Sequence, residues 1–428
     1  MVWIYSHIKS ERLKFVCDFI FGRILQEDYT LLYDSADFKA ISGIKLNYSN
    51  ESLEGVQVLP AALLEEKGIS RQELNTGKWD GLPILFTNSS EEIPFDIFSA
   101  TFYLITRYEE YLPAERDKHD RFKCEGSILS VLKCLDKPII DIWCAKFQEV
   151  LTGKEEFSRT YKFISTIDVD NAYAYNFKSF PIKLGATIKS ILAGDKEDLK
   201  TRFGCYFRQQ KDPYETYDYI NSIHSEAEVE SMFFFLLSNR NEWDRNLPFT
   251  NKHLRALVLA LQRQNTIAIH PGYHSYQSAE TMLEEKLRLE HITEVYVTHS
   301  RQHFLKFSFP ETPRSLLRAG IKEDYSLGYA EQIGFRGGTC TPFQFFDLEK
   351  NETTELVFHS SAIMDATLNR YLGLTQKEAV AKSAEVIKEV KAVSGELVTI
   401  WHNETLSELR EWKGWRHVFK EVVTLAKS

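Results

Sequence analysis

The sequence predicts an α/β protein in two parts, a smaller α/β domain over residues 1–155 and a parallel α/β domain of the barrel kind over 156–428. Three observations predict it. Short apolar runs bounded by polar residues, Gly or Pro alternate with stretches of helical periodicity along the chain. In the second part these runs lead into loops rich in Asp, His and Arg, which is where a parallel barrel places its chemistry. Between the parts, "LTGKEEFSRTYK" is charged and poor in apolar residues, the composition of a connection. A chain of 428 residues with 43% apolar content has enough material for large cores.

Taken in order, "VWIYS", "TLLYD", "GIKLNYS", "GVQVLP" and "LPILFT" read as strands. "SERLKFVCDFIFGRIL" carries apolar residues at three- and four-residue spacing behind Ser10, an amphipathic helix with a cap. "PFDIFSATFYLITRYEEYL" reads as one further helix whose aromatic stripe fills a core. Nothing in this first part points to a chemical role. In the second part "FISTIDVD", "SMFFFLL", "TIAIHPG", "EVYVTHSRQH", "IGFRGG" and "LVTIWHN" are apolar runs entering polar loops. Helical stretches between them include "NKHLRALVLALQRQ", "AETMLEEKLRLEHI" and "KEAVAKSAEVIKEVKAVS".

A net charge of -9 and the expectation of no basic patch give no electrostatic case for nucleic acid or anionic membranes as partners. The amino-terminal apolar run is broken by Lys9, Glu11, Arg12 and Lys14, so neither a signal peptide nor a spanning helix is expected there, and a cytoplasmic location follows as an expectation. Six scattered cysteines without a CxxC pair fit reduced thiols and give no zinc-finger pattern.

The chemistry-bearing residues cluster at strand ends. Asp168 and Asp170 flank Val169, so in extended backbone both project to one side, and two adjacent carboxylates call for a cation, a hydrogen-bond network or a shared proton. His270 and His274 are four residues apart, but Pro271 and Gly272 between them rule against a helix interior and place them on a loop. A second pair with the same spacing is His299 and His303. Arg301 follows "EVYV" and would keep a neighbouring carboxylate ionised. His402 ends the last apolar run, placed to give a proton to a leaving group. Each has an ordinary alternative: solvated aspartates, a surface ion pair, a structural histidine.

In order, "TIDVD", "HPGYH", "RQHF", "AGIKEDYS" and "IWHN" resemble the five motifs of the polysaccharide deacetylases, the NodB-homology or carbohydrate esterase family 4 enzymes, over roughly residues 160–410. The resemblance is to a divergent branch carrying an extra N-terminal domain and an added "GFRGGTCTPF" element. It implies a distorted (β/α) barrel of about seven strands and a divalent metal, zinc first, with cobalt, nickel or iron as alternatives. It implies Asp168 as catalytic base, and Asp170, His270 and His274 as metal ligands. Arg301 would hold the base, Asp324 would orient the acid and His402 would be the acid. Departures are Val169 between the aspartates, Pro271 after the first histidine, and Gln302-His303-Phe304 where a proline-rich sequence is usual.

The implied activity is removal of N-acetyl or O-acetyl groups from a carbohydrate or glycan-precursor substrate, with no organic cofactor. Arg336 beside paired glycines and Tyr173 after the aspartates are expected substrate contacts. Two rivals stand beside this: another metal-dependent C–N or glycosidic hydrolase on the same barrel, and a carbohydrate-binding protein without activity, with Tyr173, Tyr175 and Phe304 stacking on sugars.

Overall fold

The computed structural model describes residues 1–428. At the amino terminus β1 (Val2–Ser6), β2 (Tyr29–Leu32), β3 (Ile44–Tyr48) and β4 (Val56–Gln57) form a parallel sheet in the order β2-β1-β3-β4. The first helix starts where the sequence places it, with the Ser10 side chain accepting from the Leu13 N–H. A hairpin of β5 (Thr76–Trp79) and β6 (Leu82–Leu85) follows, turning through Asp80 and Gly81, both at positive φ.

The aromatic segment expected as one long helix is interrupted. Ile97–Ile105 is helical and buried throughout, capped by the Asp96 carboxylate, but Arg107 adopts the left-handed conformation and only a single tight turn, Tyr108–Tyr111, follows. The break turns Arg107 into a buried cluster. Its guanidinium donates to Glu109 Oε1 at 2.7 Å and Glu110 Oε1 at 2.8 Å, and Arg336, from the far side of the chain, donates to both oxygens of Glu110. All four charged side chains are buried, with Glu109 alone keeping a 9% exposure. Arg336 is therefore not the substrate contact expected of it: burial obliges the guanidinium to find a carboxylate, and Glu110 supplies both of its oxygens.

The second part is a closed barrel of seven parallel strands. β7 (Lys162–Val169), β8 (Glu230–Leu236), β9 (Thr266–His270), β10 (His299–Ser300) and β11 (Glu323–Leu327) lie side by side in chain order. The antiparallel β12 (Phe343–Asp347) pairs only with β13 (Glu352–Met364), which bridges β11 and β14 (Glu396–His402), and β14 returns to β7. Ile164, Met232, Phe234, Ala268, Tyr325 and Val398 fill the interior. This is the α/β barrel the sequence predicts, with three local differences. "EVYV" lies before β10, with Val295 and Tyr296 exposed. "IGFRGG" is a buried loop rather than a strand, and β12 and β13 come from a stretch in which no strand was expected.

One apolar core runs through both parts. Phe15 of the first helix packs on Phe102 and Phe346, and Phe19 on Phe343, so the amino-terminal region is sealed against the barrel wall. All six cysteines are buried and unpaired.

Candidate active site

Strand register brings the strand-end residues to one mouth of the barrel. His402 and Asp168 are register partners across β14 and β7, and His270 closes β9. Asp168 is buried, and its Oδ1 accepts from Arg301 Nη1 at 2.7 Å. Arg301 is itself fully buried, held by Thr166 Oγ1 at 2.8 Å and the Tyr325 carbonyl at 3.0 Å, with its guanidinium 4.3 Å from the Phe234 ring centroid. A cation so fixed orients one oxygen of Asp168 and leaves Oδ2 facing the pocket, 3.8 Å from His270 Nε2 and 4.0 Å from His402 Nε2.

Asp170, His270 and His303 form the group that could hold a metal ion. His270 Nε2 lies 3.2 Å from Asp170 Oδ1, and His303 Nε2 lies 3.4 Å from Asp170 Oδ2. Each imidazole is aimed by its other nitrogen: His270 Nδ1 donates to the Arg301 carbonyl, and His303 Nδ1 to Asp244 Oδ1 at 2.7 Å. Orientation of ligand imidazoles through the distal nitrogen is the arrangement metal sites use. Asp170 Oδ1 is buried without a hydrogen-bond partner, the state of a donor atom that a cation would satisfy. Burial works to raise the Asp170 carboxyl, yet His303 and His270 hold it well below the usual carboxylate range. For His303 burial pulls the pKa down, and Asp170 and Asp244 outweigh it, pushing it up to about 9.

His274, expected as the second imidazole ligand, is exposed and stands outside this group. The reason is the loop. Gly272 packs so closely on Ser238 and Asp244 that a Cβ there would come within 2.5 Å of Ser238 Cβ and 2.7 Å of Asp244 Oδ2. The Tyr273 N–H donates to Asp244 and the Gly272 N–H to Glu285 Oε2 at 2.9 Å. Proline and glycine thus wrap the turn around Asp244, the carboxylate that aims His303, and send His274 outward. His303 comes from the second HxxxH pair, two residues after Arg301.

Burial raises Glu285 to about 7, against its bonds to Gly272 and Ser275. A carboxyl raised in the folded state favours folding fully below its unfolded value of 4.5 and loses that contribution as pH rises through 7. Glu285→Gln removes the titration. Its unfolding free energy relative to wild type should swing by roughly 3 kcal/mol in its favour between pH 4.5 and about pH 8, measured by denaturant titration at both.

His402 Nδ1 bonds Asp365 Oδ1 at 2.8 Å, and the His402 backbone N–H donates to Asp365 Oδ2 at 2.7 Å. Asp365 follows directly after β13 and orients His402, the part expected of Asp324. Asp324 is instead fully buried with its oxygens bonded to Ser300 Oγ and the Ser326 N–H, and burial raises its pKa. Burial lowers the His402 pKa, but Asp365 foremost, then Asp170 and Asp168, lifts it to about 10. Tyr173, expected at the substrate, is buried with its ring edge-on to Phe177 and does not line the pocket.

The mouth opens into a pocket of about 290 Å³ lined by these carboxylates and imidazoles together with Leu305, Tyr371 and Glu404. Lys118 and Arg121 of the amino-terminal part also line it. Arg121 donates to the Phe304 carbonyl at 2.9 Å and to the Tyr371 hydroxyl at 3.3 Å, while His119 meets the Tyr273 hydroxyl at 3.1 Å. The first part, silent in the sequence, builds one wall of the pocket.

A family of unknown function (DUF7033) matches residues 2–156. No curated protein matches the chain. Among solved structures it is similar to a protein described as a polysaccharide deacetylase from Mycobacterium smegmatis, at 16% identity and TM-score 0.40, covering 63% of this chain and 86% of that one. It is also similar to a polysaccharide deacetylase from Bacillus cereus, at 11% identity and TM-score 0.30, covering 62% and 85%. A third is a carbohydrate esterase family 4 domain of a xylanase from the hindgut metagenome of Trinervitermes trinervoides, at 10% identity and TM-score 0.28, covering 62% and 82%. Likeness at this level assigns neither a substrate nor a residue role.

Proposed function

We propose that the chain is a metal-dependent hydrolase that removes acetyl groups from a carbohydrate or sugar conjugate, acting foremost on N-acetyl groups. The observation that carries this is the meeting, at one barrel mouth, of three groups: the Asp170, His270 and His303 ligand set, a carboxylate held by a buried arginine, and a histidine held by a buried aspartate. Two imidazoles and a carboxylate suit zinc, and a divalent ion there would supply the Lewis acidity that polarises an acetamido carbonyl and acidifies water.

The remaining work falls to the side chains. Asp168 Oδ2, free because Arg301 occupies Oδ1, takes the proton from the attacking water as its oxygen bonds to the carbonyl carbon. His402, kept protonated through neutral pH by Asp365, gives its Nε2 proton to the departing nitrogen as the C–N bond breaks. Acetate and a free amine result.

Acetate release from N-acetylated sugar oligomers and nucleotide sugars, after reconstitution with zinc or cobalt, tests this directly. Acetate without chain shortening is expected. Shortened oligomers without acetate would replace it with glycoside hydrolysis.

The role of Asp365 has its own test. Removing its charge in Asp365→Asn lowers the His402 pKa from about 10, so His402 loses its proton at lower pH. The alkaline limb of the kcat/KM profile should move down by about one unit or more. An unmoved limb would separate Asp365 from the acid.

A further inference from the structure

Against the expectation of no basic patch to draw an anionic membrane, residues 178–211, between β7 and β8, carry eight cations against three carboxylates in a chain whose net charge is -9. Within them the helix Phe180–Leu192 buries only Ser190. Phe180, Leu184, Ile188, Ile191 and Leu192 are all exposed, Phe180 by 75% and Leu192 by 82%. At 100° per residue these five share one face, so the helix is amphipathic with its apolar side turned to solvent. Phe203 and Phe207, on and just after the next helix (Lys196–Tyr206), extend the exposed apolar surface. Isolated exposed apolar residues are ordinary, but five on one face of a single helix mark a surface that meets something.

The charges say what. Lys178, Lys183, Lys189, Lys196, Lys200 and Arg208 form no ion pair within the chain, while Asp195 and Asp198 are taken up by Arg410 and Arg202. Behind the helix, a cleft of about 420 Å³ adds Arg240 and Arg245, also without carboxylate partners. A two-fold contact between copies of this face would set cations against cations. An anionic bilayer meets both features at once: apolar side chains enter the acyl boundary while long lysines reach the headgroups.

We propose that the hairpin 180–207 is a membrane-docking element that seats the protein on an anionic lipid surface. The cleft behind the helix shares Arg370 with the pocket at the barrel mouth. Docking is independent of the reaction catalysed.

The test is sedimentation of the full chain with vesicles of phosphatidylglycerol and phosphatidylcholine mixed equally, against phosphatidylcholine alone. Partition to the anionic vesicles should be about tenfold stronger or more and should weaken with added salt. Leu184→Ser/Ile188→Ser/Leu192→Ser and, separately, Lys189→Glu/Lys196→Glu/Lys200→Glu should each cut it by about tenfold. Every substituted side chain is exposed, so folding is expected to survive, as checked by circular dichroism, and Leu259→Ser/Leu287→Ser on other helices should bind as wild type. The proposal is overturned if wild type stays in the supernatant, if binding ignores lipid charge and the lysine variant, or if light scattering shows a dimer that the serine variant dissolves while vesicles recover nothing.

Discussion

His303→Ala is expected to lose bound zinc and about a thousandfold or more in kcat/KM, whereas His274→Ala should keep both. Loss of one of the three proposed ligands would forfeit several kcal/mol of charge stabilisation, which sets the scale. The contrast follows from placement: His303 Nε2 faces Asp170, while His274 is exposed on the far side of the turn. Asp244→Asn should fall between them, with metal affinity down roughly 10–100-fold, because it aims His303 without being a ligand. Elemental analysis of the purified variants and acetate release in the same samples decide the matter. Metal loss on replacing His274 would restore the ligand set expected from "HPGYH".

The second large effect is on stability. Glu110→Gln should destabilise the whole chain by roughly 3–5 kcal/mol, because it leaves Arg107 and Arg336 buried without their shared carboxylate. Burial works to raise Glu110, and Arg336 and Arg107 outweigh it and hold it low. A depressed carboxyl contributes stability above its unfolded pKa and loses it as pH falls through the folded value, so the difference between variant and wild type should shrink in acid. Because the core is continuous from Phe15 to Phe346, the variant and wild type should each unfold in one transition by both fluorescence and circular dichroism. A shift under about 1 kcal/mol would show the cluster to be replaceable.

The strand-end pattern made much of the site legible. Asp168, Asp170, His270 and His402 each end or directly follow an apolar run, and parallel strands carry such residues to one mouth whatever lies between. Arg301 was legible through the nearby run "EVYV", although the strand it follows is the polar pair His299–Ser300. Asp365 sends the identical signal, a carboxylate directly after a strand, and was missed because β13 was not recognised in "ETTELVFHSSAIM". His303 was visible as one of two HxxxH pairs, but spacing does not reveal which imidazole of each pair turns inward. That depends on Gly272 packing against Asp244, a contact between loops after different strands. The pocket wall built by Lys118 and Arg121 was illegible for a plainer reason: nothing local to residues 113–127 records that this loop lies across the barrel mouth.

The central claim is the ligand set, and a metal-edge anomalous difference map from zinc-soaked crystals tests it most directly. A single peak bounded by Asp170 and the Nε2 atoms of His270 and His303 is the expected result. A peak at His274, or none at the barrel mouth after supplementation, would contradict it.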